Sequence, residues 1–331
     1  MATYYRNNEP DTSSKDLLSN DILVKTTKQE IDSKIFEGVF GIFTRDMLNT
    51  GIQWEEIEVE NLTSADFDPT GSNPLTKKDI NIKTLYHKIN RRKTFETNVS
   101  DAQVKMSMLS VDAMATLASA IVNELYNSSA IEDYEAFKEL LKDVANDAKA
   151  MVICDMNNLG SNVDAFTKAI QTLATNMTLP SKNYNYSGFK KAFNKKEDLV
   201  LIIDSSMQAR INVDSLASAF NMSKKDLVGN IIVVDNLPEI NYVGITADKG
   251  VDLTIGDGQV ISTYKYAEAG EQNVTGKAFA FLVERKALVR DPVERELTDM
   301  YNAKGRFTKY YYHTTDVLSY STLKNAIVFV D

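Results

Sequence analysis

Residues 51–103 of this chain are GIQWEEIEVENLTSADFDPTGSNPLTKKDINIKTLYHKINRRKTFETNVSDAQ. Residues 52–60 are rich in strand-forming residues and acids, and residues 80–89 alternate apolar with polar side chains, as a half-buried strand does. Between them, residues 62–76 contain Pro69, Gly71 and Pro74, which is typical of a loop. The stretch 51–99 therefore predicts a long two-stranded hairpin with little apolar mass of its own.

The two halves of this predicted hairpin carry opposite charges. Residues 51–68 hold six acids and no base, whereas residues 77–93 hold seven bases and one acid. Cross-strand pairing inside the hairpin is one explanation, at ~0.2–1 kcal/mol per pair. A basic patch for nucleic acid at 91–93 is another. The third is contact with adjacent copies, for which the candidate residues are Trp54, Glu55, Glu56, Glu58, Glu60, Lys77, Lys78, Lys83, Lys88, Arg91, Arg92 and Lys93.

A long helix is predicted directly after the hairpin. Ser100 and Gln103 have the spacing of a capping box, and apolar residues recur every three or four positions from Val104 to Leu125, with Met108 on the apolar face. The polar run 127–129 should end this helix. Further helices are predicted at about 131–149 and 162–177.

Strands and helices alternate in the second half of the chain. Buried strands are predicted at 199–203 and 231–234, with a helix beginning after Asp204 and running to Phe220. Further strands are expected at 242–245, 258–264 and 278–283. After Pro292 we predict a short helix at 293–301, a strand at 307–315 and a terminal strand at 326–330.

Few residues suited to catalysis or metal binding occur. The only histidines are His87 and His313, far apart in sequence, and the only cysteine, Cys154, lies in an apolar run and is interpreted as a small buried hydrophobe. None of the common phosphate-loop, dinucleotide, zinc-protease or nucleophile-elbow motifs is present. We interpret Asp204 as a helix N-cap. We therefore expect no enzyme activity, no cofactor and no metal, and tolerance of Gln at both histidines.

Net charge and hydropathy argue against two kinds of partner, nucleic acid and membrane. The net charge of −9 disfavours tight nonspecific nucleic-acid binding. No apolar run approaches the ~18 residues of a membrane span, and the N-terminus has no secretion signal pattern. A small basic and aromatic patch at 189–196 is interpreted as a solvated helix face.

The order of these elements resembles that of the major capsid proteins of tailed bacteriophages with the HK97-like fold. Residues 52–97 resemble the extended E-loop of that family and lead into its long spine helix. Residues 279–286 resemble a late A-domain strand, residues 307–320 the long P-domain strand, and residues 323–329 the closing strand. The resemblance implies an α+β fold with an N-arm, an E-loop hairpin, a P-domain with a spine helix, and an α/β A-domain.

The resemblance also implies domain boundaries. These are an N-terminal arm and lead-in helix at 1–50, the E-loop-like hairpin at 51–99, the P-domain at 100–195, the A-domain at 196–290, a P-domain return strand at 291–320, and a strand returning to the A-domain at 321–331.

The implied function is a structural protein of the virion that assembles in the bacterial host cytoplasm into an icosahedral head around double-stranded DNA. Its partners would be other copies in hexamers and pentamers, separate scaffolding, portal and cement proteins, and DNA held by weak nonspecific contact, with no membrane. An encapsulin-like nanocompartment shell and a cytoplasmic α/β enzyme using carboxylate or Lys chemistry are the alternatives. If charge holds adjacent copies together, reversing Lys88, Arg91 and Arg92 to Glu should spare folding and impair assembly. Acid-to-base changes at Glu56, Glu58 and Glu60 should then compensate.

Overall fold

A computed structural model describes residues 36–330, apart from residues 37, 46–52, 68, 72–76, 78, 101–110, 148, 158–161, 212–229, 236, 238–240, 256–257 and 267–271. Two compact units are assembled from separate segments of the described chain. One contains the described parts of Met1–Glu37, Lys93–Ile131 and Arg295–His313. The other contains those of Gly38–Arg92, Glu132–Glu294 and Thr314–Asp331.

Three α-helices and twelve strands lie in the described part of the chain. The helices are α1 (Val111–Asn146), α2 (Val163–Asn176) and α3 (Ser205–Arg210). The strands are β1 (Gln53–Val59), β2 (Ile82–Lys88), β3 (Arg91–Ser100), β4 (Val152–Asp155), β5 (Leu199–Asp204), β6 (Ile231–Val234), β7 (Asn241–Ile255), β8 (Gln259–Tyr266), β9 (Gln272–Glu284), β10 (Leu288–Asn302), β11 (Phe307–Tyr320) and β12 (Ala326–Val330). Short 3₁₀ helices span Val39–Phe43 and Lys196–Asp198.

A seven-stranded mixed sheet forms the core of the larger unit. Its strand order is β12-β4-β8-β7-β9-β5-β6, and β12 also pairs with β9, so β12 lies between β4 and β9. Alternate residues of each strand reach opposite faces. On β5, Val200 and Ile202 pack against Phe137 and Leu141 of α1, whereas Leu201 joins the cluster built around α2. Helices on both faces explain why β5 and β12 are continuous apolar runs.

Several predicted elements are confirmed in this unit. α2 begins after Asn162, whose side chain accepts hydrogen bonds from the N–H groups of Asp164 and Ala165. Asp204 caps α3 by accepting the N–H of Met207 at 2.6 Å. Cys154 is buried in β4, as its interpretation as a small hydrophobe predicts. The helix predicted after Asp204 is expected to run to Phe220. Residues 212–220 lie outside the described residues, so the structure does not test this part of the prediction.

The predicted break at residues 127–129 is wrong, because α1 continues through these residues to Asn146. Asn127 and Ser129 are buried, and the Asn127 side-chain oxygen accepts the backbone N–H of Phe36 at 2.9 Å. A polar side chain satisfied by a tertiary hydrogen bond no longer favours a helix end. Ser100 is the last residue of β3, and both the residues that it is predicted to cap and Met108 lie outside the described residues.

The helix predicted at 293–301 is wrong, since these residues belong to β10. β10 pairs with the long strand β11 in a three-stranded sheet of order β10-β11-β3. Pairing outweighs local propensity here. Pro292 is compatible with this position because β10 is an edge strand. The lead-in helix predicted for 36–50 is, in its described part, the 3₁₀ turn Val39–Phe43.

The predicted hairpin is confirmed over a shorter range. β1 and β2 pair antiparallel from Gln53 opposite Lys88 to Val59 opposite Ile82. Residues 91–100 leave this hairpin and form β3 in the three-stranded sheet. The basic run at 91–93 is therefore not part of the strand that pairs with the acids of β1.

Candidate subunit interface

The β1–β2 hairpin has two chemically different faces. Directly opposed residues point to the same side of a pleated pair. Trp54 with His87, Glu56 with Leu85, and Glu58 with Lys83 therefore share one face, which we call the inner face. Its residues Glu56, Glu58 and His87 are buried in the same chain.

Two lysines from distant segments bind the inner-face acids. Lys324, just before β12, forms an ion pair with Glu58 and lies 3.2 Å from Glu56 Oε1. Lys190, in the segment between α2 and β5, pairs with the other oxygen of Glu58. These acids are thus neutralised outside the hairpin rather than by the bases of β2. Lys190 belongs to the patch interpreted as a helix face, but the described residues 181–195 contain no helix, so that interpretation is wrong.

His87 and Trp54 lie opposite each other near the open end of the hairpin. His87 Nε2 lies 3.2 Å from Glu56 Oε2, and its Nδ1 lies 2.6 Å from Ser319 Oγ. The Trp54 ring stacks on His87 at a centroid distance of 4.1 Å, and the Arg45 guanidinium lies 4.6 Å from the Trp54 ring centre. His87 therefore has a structural role, and the tolerance of Gln at this position stays a prediction.

The anchoring groups change the acidity of the two carboxyls. Burial alone would raise the pKa of Glu56, but hydrogen bonds from His87, Ser321 and Lys324 outweigh it and lower the pKa to about 2. Burial opposes the shift at Glu58 too, and hydrogen bonds from Lys190 and Lys324 lower its pKa. Both carboxylates are therefore charged at neutral pH and depend on their partners for that state.

The remaining acids and early bases have weaker, more exposed contacts. Glu60 lies 3.8 Å from Lys182 and accepts a hydrogen bond from Asn81 at 2.7 Å. Lys77 pairs with its near neighbour Asp79 at 2.6 Å, with both side chains largely exposed. Lys78 lies outside the described residues.

Arg91 does not belong to a free basic surface. Its guanidinium forms ion pairs with Asp133 of α1 and, at 3.2 Å, with Asp316 of β11, and it lies 3.7 Å from Glu132. The Arg91 side chain is only 10% exposed. Reversal of this charge would set it against three acids, so from the structure we expect the triple reversal to destabilise the subunit. The next residues, Arg92 and Lys93, are exposed.

The outer face of the hairpin is apolar. Ile57, Val59, Ile82 and Tyr86 are 55%, 47%, 60% and 55% exposed. Val59 is opposite Ile82, and Tyr86 donates a hydrogen bond at 3.0 Å to its register partner Glu55. The outer face also carries the exposed charged residues Glu55 and Lys88, but the buried acids Glu56 and Glu58 lie on the inner face, where a half-buried strand pair usually places apolar side chains. Alternation in the sequence predicts that one face of the strand pair is buried, but it does not show which face.

The described residues offer little for catalysis. Asp204 is occupied as a helix cap, and burial raises the pKa of the Cys154 thiol. No cluster of three His, Cys, Asp or Glu side chains arranged to hold a metal ion occurs in the described part of the chain. Among the same residues, no helix is both long and apolar enough to cross a membrane. The hairpin faces remain the most distinctive surface.

Solved structures define the class of protein first. The capsid structure of Staphylococcus phage Andhra superimposes with a TM-score of 0.66 over 93% of this chain and 87% of that chain, at 14% identity. The capsid of cyanophage P-SCSP1u gives a TM-score of 0.55 over 94% and 93% of the two chains, at 11% identity. The mixed α/β fold is therefore that of phage capsid subunits.

Sequence comparison then specifies the family. The model of the Phi29-like phage major capsid protein matches residues 13–330, and the chain belongs to this family. The major capsid protein of Bacillus phage PZA is 26% identical over 253 residues, covering 76% of this chain and 48% of the relative. That of Bacillus phage GA-1 is 25% identical over 307 residues, covering 91% and 57%. The chain thus spans about half the length of these curated relatives.

Proposed function

We propose that this chain is a structural shell subunit that self-assembles into an icosahedral phage head around double-stranded DNA, and that it catalyses no reaction. The observation that carries the proposal is the family match over residues 13–330. The same match favours a virion shell over an encapsulin-like compartment. An enzyme based on Asp204 gains no support, because that carboxylate caps α3.

In the proposed shell, the β1–β2 hairpin contacts a neighbouring copy through its outer face. Exposed contiguous apolar side chains on a monomer are typical of interaction surfaces. Burying an exposed aliphatic side chain contributes on the order of 1 kcal/mol or more, whereas an exposed ion pair contributes ~0–1 kcal/mol. The apolar residues Ile57, Val59, Ile82 and Tyr86 would therefore provide most of the attraction, and the exposed Glu55, Lys88 and Arg92 would orient it.

The finer assignment belongs to the same proposal. Within an HK97-like arrangement, α1 would be the spine helix, the β1–β2 hairpin the E-loop, and the seven-stranded sheet with its helices the A-domain. Hexamers and pentamers, separate scaffolding, portal and cement proteins, assembly in the host cytoplasm and weak contact with packaged DNA complete the proposed setting.

Sedimentation and electron microscopy of the purified chain test this function. We expect closed particles of megadalton mass, since copies of a shell protein make repeated contacts with one another. A small oligomer that stays folded under all assembly conditions would contradict the proposal.

A double substitution tests the interface itself. Ile57→Thr with Ile82→Thr keeps β-branched side chains in both strands while removing apolar surface from the outer face. We expect a folded subunit that assembles poorly, with little dependence on salt. The matched variant Lys88→Glu with Arg92→Glu should weaken assembly less, and mainly at low salt. The opposite ranking would assign the contact to charge instead.

A further inference from the structure

A cavity of about 410 Å³ lies beside the hairpin, and its lining includes residues from both faces of β2. Three segments far apart in sequence line it: Lys83–Leu85 of β2, Tyr186 and Ser187 before β5, and Thr322 and Leu323 before β12, with Lys265 of β8 as a fourth contributor. Each of the first three segments brings at least one hydroxyl group. All of these residues belong to the larger compact unit.

Lys265 is held in the wall of this cavity. Its ammonium donates a hydrogen bond to the carbonyl oxygen of Lys182 at 2.5 Å. Gly188 has a positive φ of 53°, which favours glycine, and a Cβ at this position would be in van der Waals contact with Lys265 Nζ at 3.4 Å. An ammonium has three N–H donors, and one is used in this contact. Burial without a compensating charge lowers the pKa of Lys265 to about 8.

Among the described side chains that line the cavity, the charged ones are both lysines. The flanking lysines are already neutralised, since Lys182 lies near Glu60 and Lys190 and Lys324 pair with Glu58. Among the described side chains, Lys83 and Lys265 form no ion pair, and Lys83 lies 5.2 Å from the Phe189 ring centre. Asp248 is the acid that the β7–β8 register sets opposite Lys265.

We propose that this cavity binds a small oxyanion of the phosphate class, with Lys83 and Lys265 supplying charge and Thr322 supplying a hydroxyl donor. Charged hydrogen bonds of this kind are the strong ones in proteins. A phosphate has enough acceptor oxygens to contact β2 and the two loops at once. Its binding would hold the hairpin against the sheet that carries Lys265, and so stabilise one position of the hairpin.

Calorimetric titration with inorganic phosphate at constant ionic strength tests the site in the full chain. We expect saturable binding with one site per chain, weakened about tenfold by Lys265→Met or Lys83→Met, which is the effect of one charged hydrogen bond. Lys88→Met, on the same strand but outside the cavity, should bind as the wild type does. If Lys88→Met weakened phosphate binding by the same factor, the loss would reflect general surface charge and would contradict the proposed site.

Chemical labelling gives a second readout that does not depend on affinity. Pyridoxal 5′-phosphate condenses with an unprotonated lysine amine to an imine with loss of water, and borohydride fixes the product for peptide mapping. We expect preferential labelling of Lys265, protection by inorganic phosphate, and much weaker labelling by pyridoxal, which lacks the phosphate. Uniform labelling of surface lysines would contradict the proposal. So would phosphate binding that appears only in Asp248→Asn, because Asp248 would then be the partner of Lys265.

Discussion

Lys324 lies between two buried carboxylates, and this single cation joins the hairpin to the segment that precedes the terminal strand. It lies 3.2 Å from Glu56 and also pairs with Glu58. Lys324→Met would leave both acids short of positive charge in a buried setting, at a cost of roughly 3–5 kcal/mol in the free energy of unfolding. Urea denaturation measures this as a lower midpoint at unchanged slope. Lys77→Met, which breaks only an exposed pair, serves as the control and should leave the midpoint unchanged.

Glu56 makes the hairpin sensitive to acid. Its pKa is about 2 in the folded chain against 4.5 for the ordinary side chain, so the folded state binds this proton less readily than the unfolded state. The stabilisation is fully present above pH 4.5 and is lost as the pH falls from 4.5 towards 2. Melting temperatures between pH 6 and pH 3 should fall less steeply for Glu56→Gln, although that variant starts lower. Parallel curves for the two proteins would show that Glu56 is not the group that titrates.

At the scale of the element, neighbouring residues of β3 differ completely in surroundings. Arg91 is paired with Asp133 and Asp316, whereas Arg92 is exposed. Arg91→Glu should therefore destabilise the subunit strongly or leave it insoluble, because it adds a fourth acid to a cluster of Glu132, Asp133 and Asp316. Arg92→Glu should fold as the wild type does. Circular dichroism melts of the two variants compare them directly, and equal stability would mean that the Arg91 cluster adds nothing.

The hairpin as an element carries its stability on one face and its proposed contact on the other. This separation means that substitutions on the outer face should leave the urea midpoint nearly unchanged while reducing assembly, and that those on the inner face should lower the midpoint first. Compensating bases at Glu56 and Glu58 would not restore assembly, since both residues are buried among lysines of their own chain.

At the scale of the whole molecule, the net charge of −9 bears on the contents of the proposed shell. An acidic subunit repels the phosphate backbone on average, so only local contacts could hold DNA. We expect the free subunit to give no shift of double-stranded DNA in a gel at physiological salt, and only weak retention at low salt. Tight binding at physiological salt would contradict a shell that encloses DNA through weak contacts.

The sequence by itself determined most of the strands, the α2 helix, the hairpin and the family resemblance. Apolar runs such as Leu199–Ile203 and the alternation at 80–89 arise from local periodicity, which any single chain displays. Cap residues such as Asp204 also act over a few positions. The order of these elements along the chain was enough to predict a capsid-like shell, because this order can be read without knowing which strands pair.

Tertiary structure alone decided the remaining features. Residues 293–301 became a strand because β11 offers hydrogen bonds along its edge, and α1 passed through Asn127 because Phe36 satisfies that side chain. The face of β1–β2 that turns inward depended on Lys190 and Lys324, which lie 132 and 266 positions from Glu58. The free energy of burying a side chain depends on the groups that surround it in space. Periodicity along the chain does not reveal partners that are so distant in sequence.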